Sequence, residues 1–408
     1  MERRNDDRIG CGPMTLALPV IAIMLACGIT EIRQDAGSGP VLDELEFPDR
    51  AVCCVTGIEY PSGYDWMEDE ATGKVKRSLV VFADAVPCLK VPVGDGYEVS
   101  GDSDMHRFLD GNLYTYYNKD SLAVVRKNGA PLFRYQADEV LLDMSFKGGD
   151  LHILSQRNPG GFTYRINGAP VLEKLSGESF GRFWEDCGNV CFAYMQPVAV
   201  AGGLEKRYYI VCGSDVMHVP FDPDVSCVWD VISWGGAPCS LVSSAYDSRT
   251  YLQKEGKLIS IDIPQSASML SCQIFPADDK VGVECAYETV GGDWEGGIWI
   301  EGSEYLRFEA DRPISYLSYK DGKVCCVLNP DGAGEDEYGE GGSGLIYDGE
   351  TLHQMPEGYF CTGTAPIAIH EGELYVALSS RLGERPVIWH GGQLDTLKMN
   401  GYVCSISF

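Results

Sequence analysis

The four residues Asn-Gly-Ala-Pro occur at 128–131 and again at 167–170, and the sequence around them is also written twice. Asp110-Gly111-Asn112-Leu113-Tyr114 leads to Ala123-Val124-Val125-Arg126-Lys127 and the first motif. Gly149-Asp150-Leu151-His152-Ile153 leads to Phe162-Thr163-Tyr164-Arg165-Ile166 and the second. In each copy an alternating run closes on a turn that wants φ > 0, which Asn-Gly adopts cheaply, and a second apolar run follows. Each copy therefore reads as antiparallel strands joined by tight hairpins. The motifs stand 39 residues apart, and a fixed period of that size marks a repeat architecture.

Extended along the chain, the repeat has a grammar: an inner strand, a tight turn, a second strand, a loop of variable length, a third strand, a Gly turn and a short fourth strand. First turns fall at Gly111, Gly149, Gly188, Gly235, Asp279, Gly322 and Gly372. Second turns fall at Gly129, Gly168, Gly213, Gly256, Gly302, Gly349 and Gly391, and the two series interleave without a miss. A less regular copy runs from Val52 to Val91, making eight units. No stretch carries apolar residues at helical spacing, so the class is all-β. Four strands in about 45 residues is the size of a propeller blade. The expected fold is an eight-bladed β-propeller over residues 49–408. The first unit starts at Val52 with no inner strand before it, whereas Cys404–Phe408 has the inner-strand pattern with no unit after it. Closure by the C-terminal strand satisfies both edges.

Residues 1–13 are polar with Arg3, Arg4 and Arg8, and an apolar run from Met14 to Ala26 follows. That run is too short to span a bilayer and has the length of an export-signal core. Met24-Leu25-Ala26-Cys27 resembles the lipobox of bacterial lipoproteins, which implies lipid attachment at Cys27. Residues 28–48 read as a flexible tether. Glu373-Leu374-Tyr375-Val376-Ala377, Pro386-Val387-Ile388-Trp389-His390-Gly391 and Tyr164-Arg165-Ile166-Asn167-Gly168 together resemble the repeat of β-propeller lipoproteins from Gram-negative, Bacteroidota-like bacteria. The resemblance implies a fold and an address, without an activity. The address is the bacterial cell envelope, as an outer-membrane lipoprotein facing the periplasm or the cell surface. The only membrane contact is the lipid anchor, and the protein is expected to be a monomer.

Sixty acidic against 32 basic residues give a net charge of −28, which argues against nucleic acid or anionic lipid headgroups as partners. Most of the 16 Cys fall inside strands and read as buried thiols, with Cys187 and Cys191, on either side of a turn, the best local disulfide candidate. No spacing fits a zinc site, and no cofactor or metal is expected. The six His fall singly, which suits strand or surface positions. His106 is the exception, on an inner strand beside Asp104 and Arg107 where it can face the central channel. Loops between second and third strands emerge on one face, and three are rich in aromatics beside carboxylates: 60–76 with Tyr64 and Trp66, 288–296 with Trp294, and 329–342 with Tyr338. Long loops gathered on one face of a rigid scaffold are where binding usually resides. Tyr64, Trp66, Trp294, Tyr338 and His106 are thus the candidate binding residues, and no catalytic residue is nominated. Two functions fit: a binding or scaffolding module for a glycan, peptide or protein partner, or an extracytoplasmic glycan hydrolase or lyase with its site at the central channel.

Overall fold

The computed structural model describes residues 53–408 except 62–76, 93–105, 330–343 and 381–384, and short gaps at 84, 120–121, 129, 137–138, 158–159, 202, 222–223, 265–266, 293, 310–313, 321 and 364. Cys27, Tyr64, Trp66 and Tyr338 lie outside the described residues.

The hairpins form as their turn residues dictate. Asn167 and Gly168 have φ of 49° and 79°, the pair of left-handed conformations a two-residue hairpin turn needs. The same Asn reaches across the sheet. Its Oδ1 accepts the Leu151 N–H at 2.9 Å while its own N–H donates to the Leu151 carbonyl at 2.9 Å. Asn128 repeats this on Leu113, at 2.9 and 2.8 Å. The recurring Asn thus sets the turn and also satisfies the start of the neighbouring second strand, whose ladder would otherwise end on open backbone groups.

Eight antiparallel sheets result. Blade 1 comprises Cys54–Glu59, Ser78–Ala83 and Val86–Pro92, with the C-terminal strand Gly401–Ser407 as its innermost member. Blades 2 to 8 follow in order with inner strands His106–Leu109, Glu139–Lys147, Glu178–Ser179 with Trp184–Asp186, Val225–Trp234, Ser268–Ala277, Tyr316–Lys320, and Tyr359–Cys361 with Ile367–His370. Each blade touches the next and blade 8 touches blade 1, so the ring is closed and the fold is an eight-bladed β-propeller. The closing strand pairs from Cys54↔Ser407 to Glu59↔Gly401. It buries Val403 and Ile406, and the Thr56 and Ser405 hydroxyls share a buried hydrogen bond of 2.7 Å.

Two sequence expectations are corrected. The repeat has one inner strand per unit, but that of blade 4 is broken between Ser179 and Trp184. Gly181 turns there with φ of 78° and the Phe183 N–H leaves the ladder for the Asp143 carboxylate in blade 3. The best local disulfide candidate, Cys187 with Cys191, is not the bonded pair, and Cys191 is joined to Cys212 instead. Cys187 sits in the turn as a free thiol, whereas Cys191 and Cys212 are directly opposed on neighbouring strands. The reading of the other cysteines as buried thiols holds for Cys53, Cys54, Cys239, Cys285, Cys325, Cys326 and Cys361.

Candidate functional site

The axis of the ring is stitched by charge. Asp143 in blade 3 accepts the Met144 N–H at 2.8 Å, the Phe183 N–H of blade 4 at 2.8 Å, and Arg107 of blade 2 at 3.1 Å. Asp230 in blade 5 does the same with the Val231 N–H at 2.8 Å, the Ile274 N–H of blade 6 at 2.6 Å, and Arg182 of blade 4. Arg182 reaches on to Gln273 Oε1 at 3.0 Å and the Ile274 carbonyl at 2.8 Å. One inner-strand residue thus ties three blades together, twice. Burial pushes both Asp carboxyls up, against the pull of the Arg charges and the backbone donors. In blade 8 Pro366 holds the place equivalent to Asp143, four residues before the pair that closes the first hairpin. The link there is made by main chain, with the Ile406 N–H donating to the Ala365 carbonyl at 2.8 Å.

This geometry bears on the channel. A carboxylate that accepts two backbone N–H groups and a guanidinium has three of its roughly four acceptor sites taken, and is poorly placed to exchange protons with a substrate. His106 lies on the inner strand of blade 2 as expected, its backbone paired with Thr115, while its side chain lies outside the described residues.

Connections between second and third strands and between fourth and first strands leave from one end of the blades, because every blade is an antiparallel meander. The loops that contain Tyr64, Trp66 and Tyr338 begin and end on that face, at Glu59 and Ser78 and at Leu328 and Leu345. Trp294 is not in a loop. Glu288 pairs with Trp294, so the connection is only 289–293 and Trp294 opens the third strand of blade 6. The ladder extends this far because Tyr287 and Glu295 are directly opposed, with the Tyr287 hydroxyl donating to Glu295 at 2.8 Å. The Trp294 side chain lies outside the described residues.

Blade 5 carries a cleft on one flank. Its second, third and fourth strands, Ala237–Ser244, Thr250–Lys254 and Lys257–Ser260, alternate between two faces. Leu241 and Leu252 pack into the core on one face. Val242 opposite Tyr251, and Gln253 opposite Leu258, point the other way. There they line a cavity of about 300 Å³ together with Asp224, Val225, Ser244, Tyr246 and Gly256. That volume is at the small end of ligand sites, roughly 300–1,000 Å³. Tyr246 stands at the mouth on the loop between second and third strands, 90% exposed. The Tyr251 hydroxyl donates to Asp247 at 2.6 Å, and that bond, with the Arg249 N–H, holds the Asp247 carboxyl below its usual range. The loop is shaped from within: the Tyr246 N–H donates to the Ser244 hydroxyl at 3.1 Å and the Ala245 N–H to the Asp224 carbonyl at 2.7 Å. Sequence reasoning missed this site. Its signal was the Tyr246-Asp247 pair, the same aromatic beside a carboxylate as in the nominated loops, on a loop too short to stand out by length.

No protein-family model matches the sequence, and no curated protein does. Solved structures with a similar chain path include the β-propeller domain of the trilobed protease from Pyrococcus furiosus, 9% identical over 85% of this chain and 95% of that one, with a TM-score of 0.43. The acylaminoacyl peptidase of Pyrococcus horikoshii is 8% identical over 81% of this chain and 57% of that one, with a TM-score of 0.44. A variant of the Aleuria aurantia lectin in complex with α-methyl-L-fucoside is 8% identical over 74% and 94%, with a TM-score of 0.31.

Proposed function

We propose that this β-propeller is a ligand-binding module, held at the bacterial envelope by a lipid on Cys27, and that it takes a sugar ring of a glycan in the cleft of blade 5. The observation that carries the reading is Tyr246, an almost fully exposed ring at the lip of a cleft that Asp224, Ser244, Tyr251 and Gln253 also line. A flat ring face suits the C–H face of a sugar, and the polar groups suit its hydroxyls. A protein of net charge −28 favours a neutral glycan over an anionic one. The competing reading, a glycan hydrolase or lyase at the channel, loses support because Asp143 and Asp230 are committed to joining blades.

Ligand-observed NMR with a panel of neutral mono- and disaccharides tests the binding. Saturation transfer to at least one sugar is expected, and Tyr246→Ala is expected to weaken its affinity about tenfold, or ~1.4 kcal/mol. The melting temperature should hold, because the ring packs against little. Transfer to none of the sugars, or an affinity indifferent to the substitution, removes the cleft from the reading. Binding of unstructured peptides in place of sugars shifts the ligand class.

The anchor is tested separately. Labelled fatty acid should be incorporated when the full chain is expressed in a Gram-negative host, and Cys27→Ser should abolish it. Labelling that survives the substitution ends the lipoprotein proposal.

A further inference from the structure

Cys272 and Cys285 face each other across blade 6. They are directly opposed on its first two strands, Ser268–Ala277 and Lys280–Glu288, and their sulfurs stand 2.6 Å apart. Opposed residues of an antiparallel pair have Cα atoms roughly 4.5 or 5.5 Å apart, and both values fall within the range of about 4.4–6.8 Å that a disulfide spans. The arrangement matches that of Cys191 and Cys212 in blade 4, also directly opposed and already bonded. We propose that Cys272 and Cys285 are a second cross-strand disulfide site, oxidised by exchange with an external disulfide.

The two residues differ in exposure, although both thiols lie within the blade. Cys285 is buried and Cys272 is partly exposed, so Cys272 is the point of entry. Its thiolate attacks one sulfur of the oxidant, a glutathione-type or protein disulfide, and displaces the other sulfur as a thiolate. The Cys285 thiolate then attacks Cys272 in the mixed disulfide, forms the Cys272–Cys285 bond and releases the second sulfur of the oxidant. The oxidant disulfide gains two electrons and two protons, and the cysteine pair loses the same. The bond shortens the existing separation by about 0.5 Å, which side-chain rotation supplies without moving the strands. Burial pushes both thiols up, so the exchange should be slow near neutrality and quicken as pH rises. Once formed, the bond fastens to its neighbour the strand whose Gln273 and Ile274 receive Arg182 from blade 4.

The test uses the folded protein, reduced and then incubated with oxidised glutathione at pH 8. It is quenched in acid, alkylated in denaturant and digested, and the linked peptides are read by mass spectrometry. A Cys272–Cys285 peptide beside the Cys191–Cys212 peptide is expected, with neither in the reduced control. Oxidation should also raise the melting temperature of a Cys191→Ala/Cys212→Ala variant, in which the blade 4 bond can no longer form, and leave it unmoved when Cys272→Ser is added. Alkylation of Cys272 and Cys285 as free thiols after oxidation, while Cys191 and Cys212 are linked, overturns the proposal. So does a link from Cys272 to Cys227, a thiol close enough to feel its charge.

Discussion

Removal of residues 402–408 is expected to leave the protein insoluble or degraded. The deletion strips five rungs of pairing from Cys54–Ile58 and exposes the edge of blade 1 to the next molecule. It removes Val403 and Ile406 from the core, a loss of roughly 1.5–3 kcal/mol each. The Thr56 hydroxyl loses its buried partner, and the blade 8 carbonyl at Ala365 loses the Ile406 N–H. Phe408 also leaves the ring of His370, on which it stacks at 4.4 Å. These losses together rival the whole stability of a typical domain, about 5–15 kcal/mol. Ile406→Ala, which keeps the backbone ladder, should cost only about 2–5 kcal/mol and remain soluble. Urea unfolding and sedimentation of the two variants check this. A truncated protein that is soluble with an unchanged midpoint sinks the view that the last strand closes the ring.

Two buried glutamates are expected to give stability opposite slopes with pH. Glu139 in blade 3 accepts Arg165 at 2.6 and 3.1 Å, Arg157 at 3.0 Å and Thr163 at 2.8 Å. Burial raises its pKa, but the hydrogen bonds from Arg165, Ser155 and Thr163 and the charge of Arg165 outweigh that and bring it down to about 2. A depressed folded-state pKa contributes stability that is present above the unfolded value of about 4.5 and lost as pH falls toward 2. The contribution is of order 3 kcal/mol. Glu139→Gln leaves the buried Arg165 guanidinium uncompensated, at a cost of about 3–5 kcal/mol, and should flatten the acid limb of the stability curve. Glu284 in blade 6 is the reverse case. Burial lifts its carboxyl to about 8, and one of its oxygens has no hydrogen-bond partner. Its contribution is intact below about 4.5 and is lost as pH rises toward 8, so Glu284→Gln should stabilise by a few kcal/mol at pH 9 and change little at pH 4. Urea midpoints of both variants from pH 3 to 9 decide the matter. Glu139→Gln matching the parent protein at pH 7, or Glu284→Gln failing to gain on it as pH rises, contradicts the respective assignment.

The loop face was legible in part. That loops between second and third strands share one face follows from the repeat, and the structure agrees. Trp294 was assigned to a loop because nothing local says where a ladder ends; Tyr287 and Glu295 extend it. Tyr246 and Tyr251 were passed over because neither is unusual along the chain. Only folding sets the exposed ring of one beside the strand that carries the other.

The sequence by itself determined the eight blades, their turns and the closure by the last strand. Each of these rests on residues near one another in the chain: the two-residue alternation of a strand, the φ > 0 demanded at Asn167-Gly168, and the count of units with one inner strand missing at the start and one spare at the end. What the tertiary structure decided was partnership. Cys191 has Cys212 opposite it on one side and Trp184 on the other, so Cys187, though nearer in sequence, is out of reach. Arg182 meets Asp230 across 48 residues and Arg107 meets Asp143 across 36, distances set by blade size and by bulges such as the one that turns Asp143 toward its neighbours. Alternation along a strand tells which side chains go inward, but an ion pair, a disulfide or a cleft is defined by what stands opposite, and that depends on how one blade registers against the next.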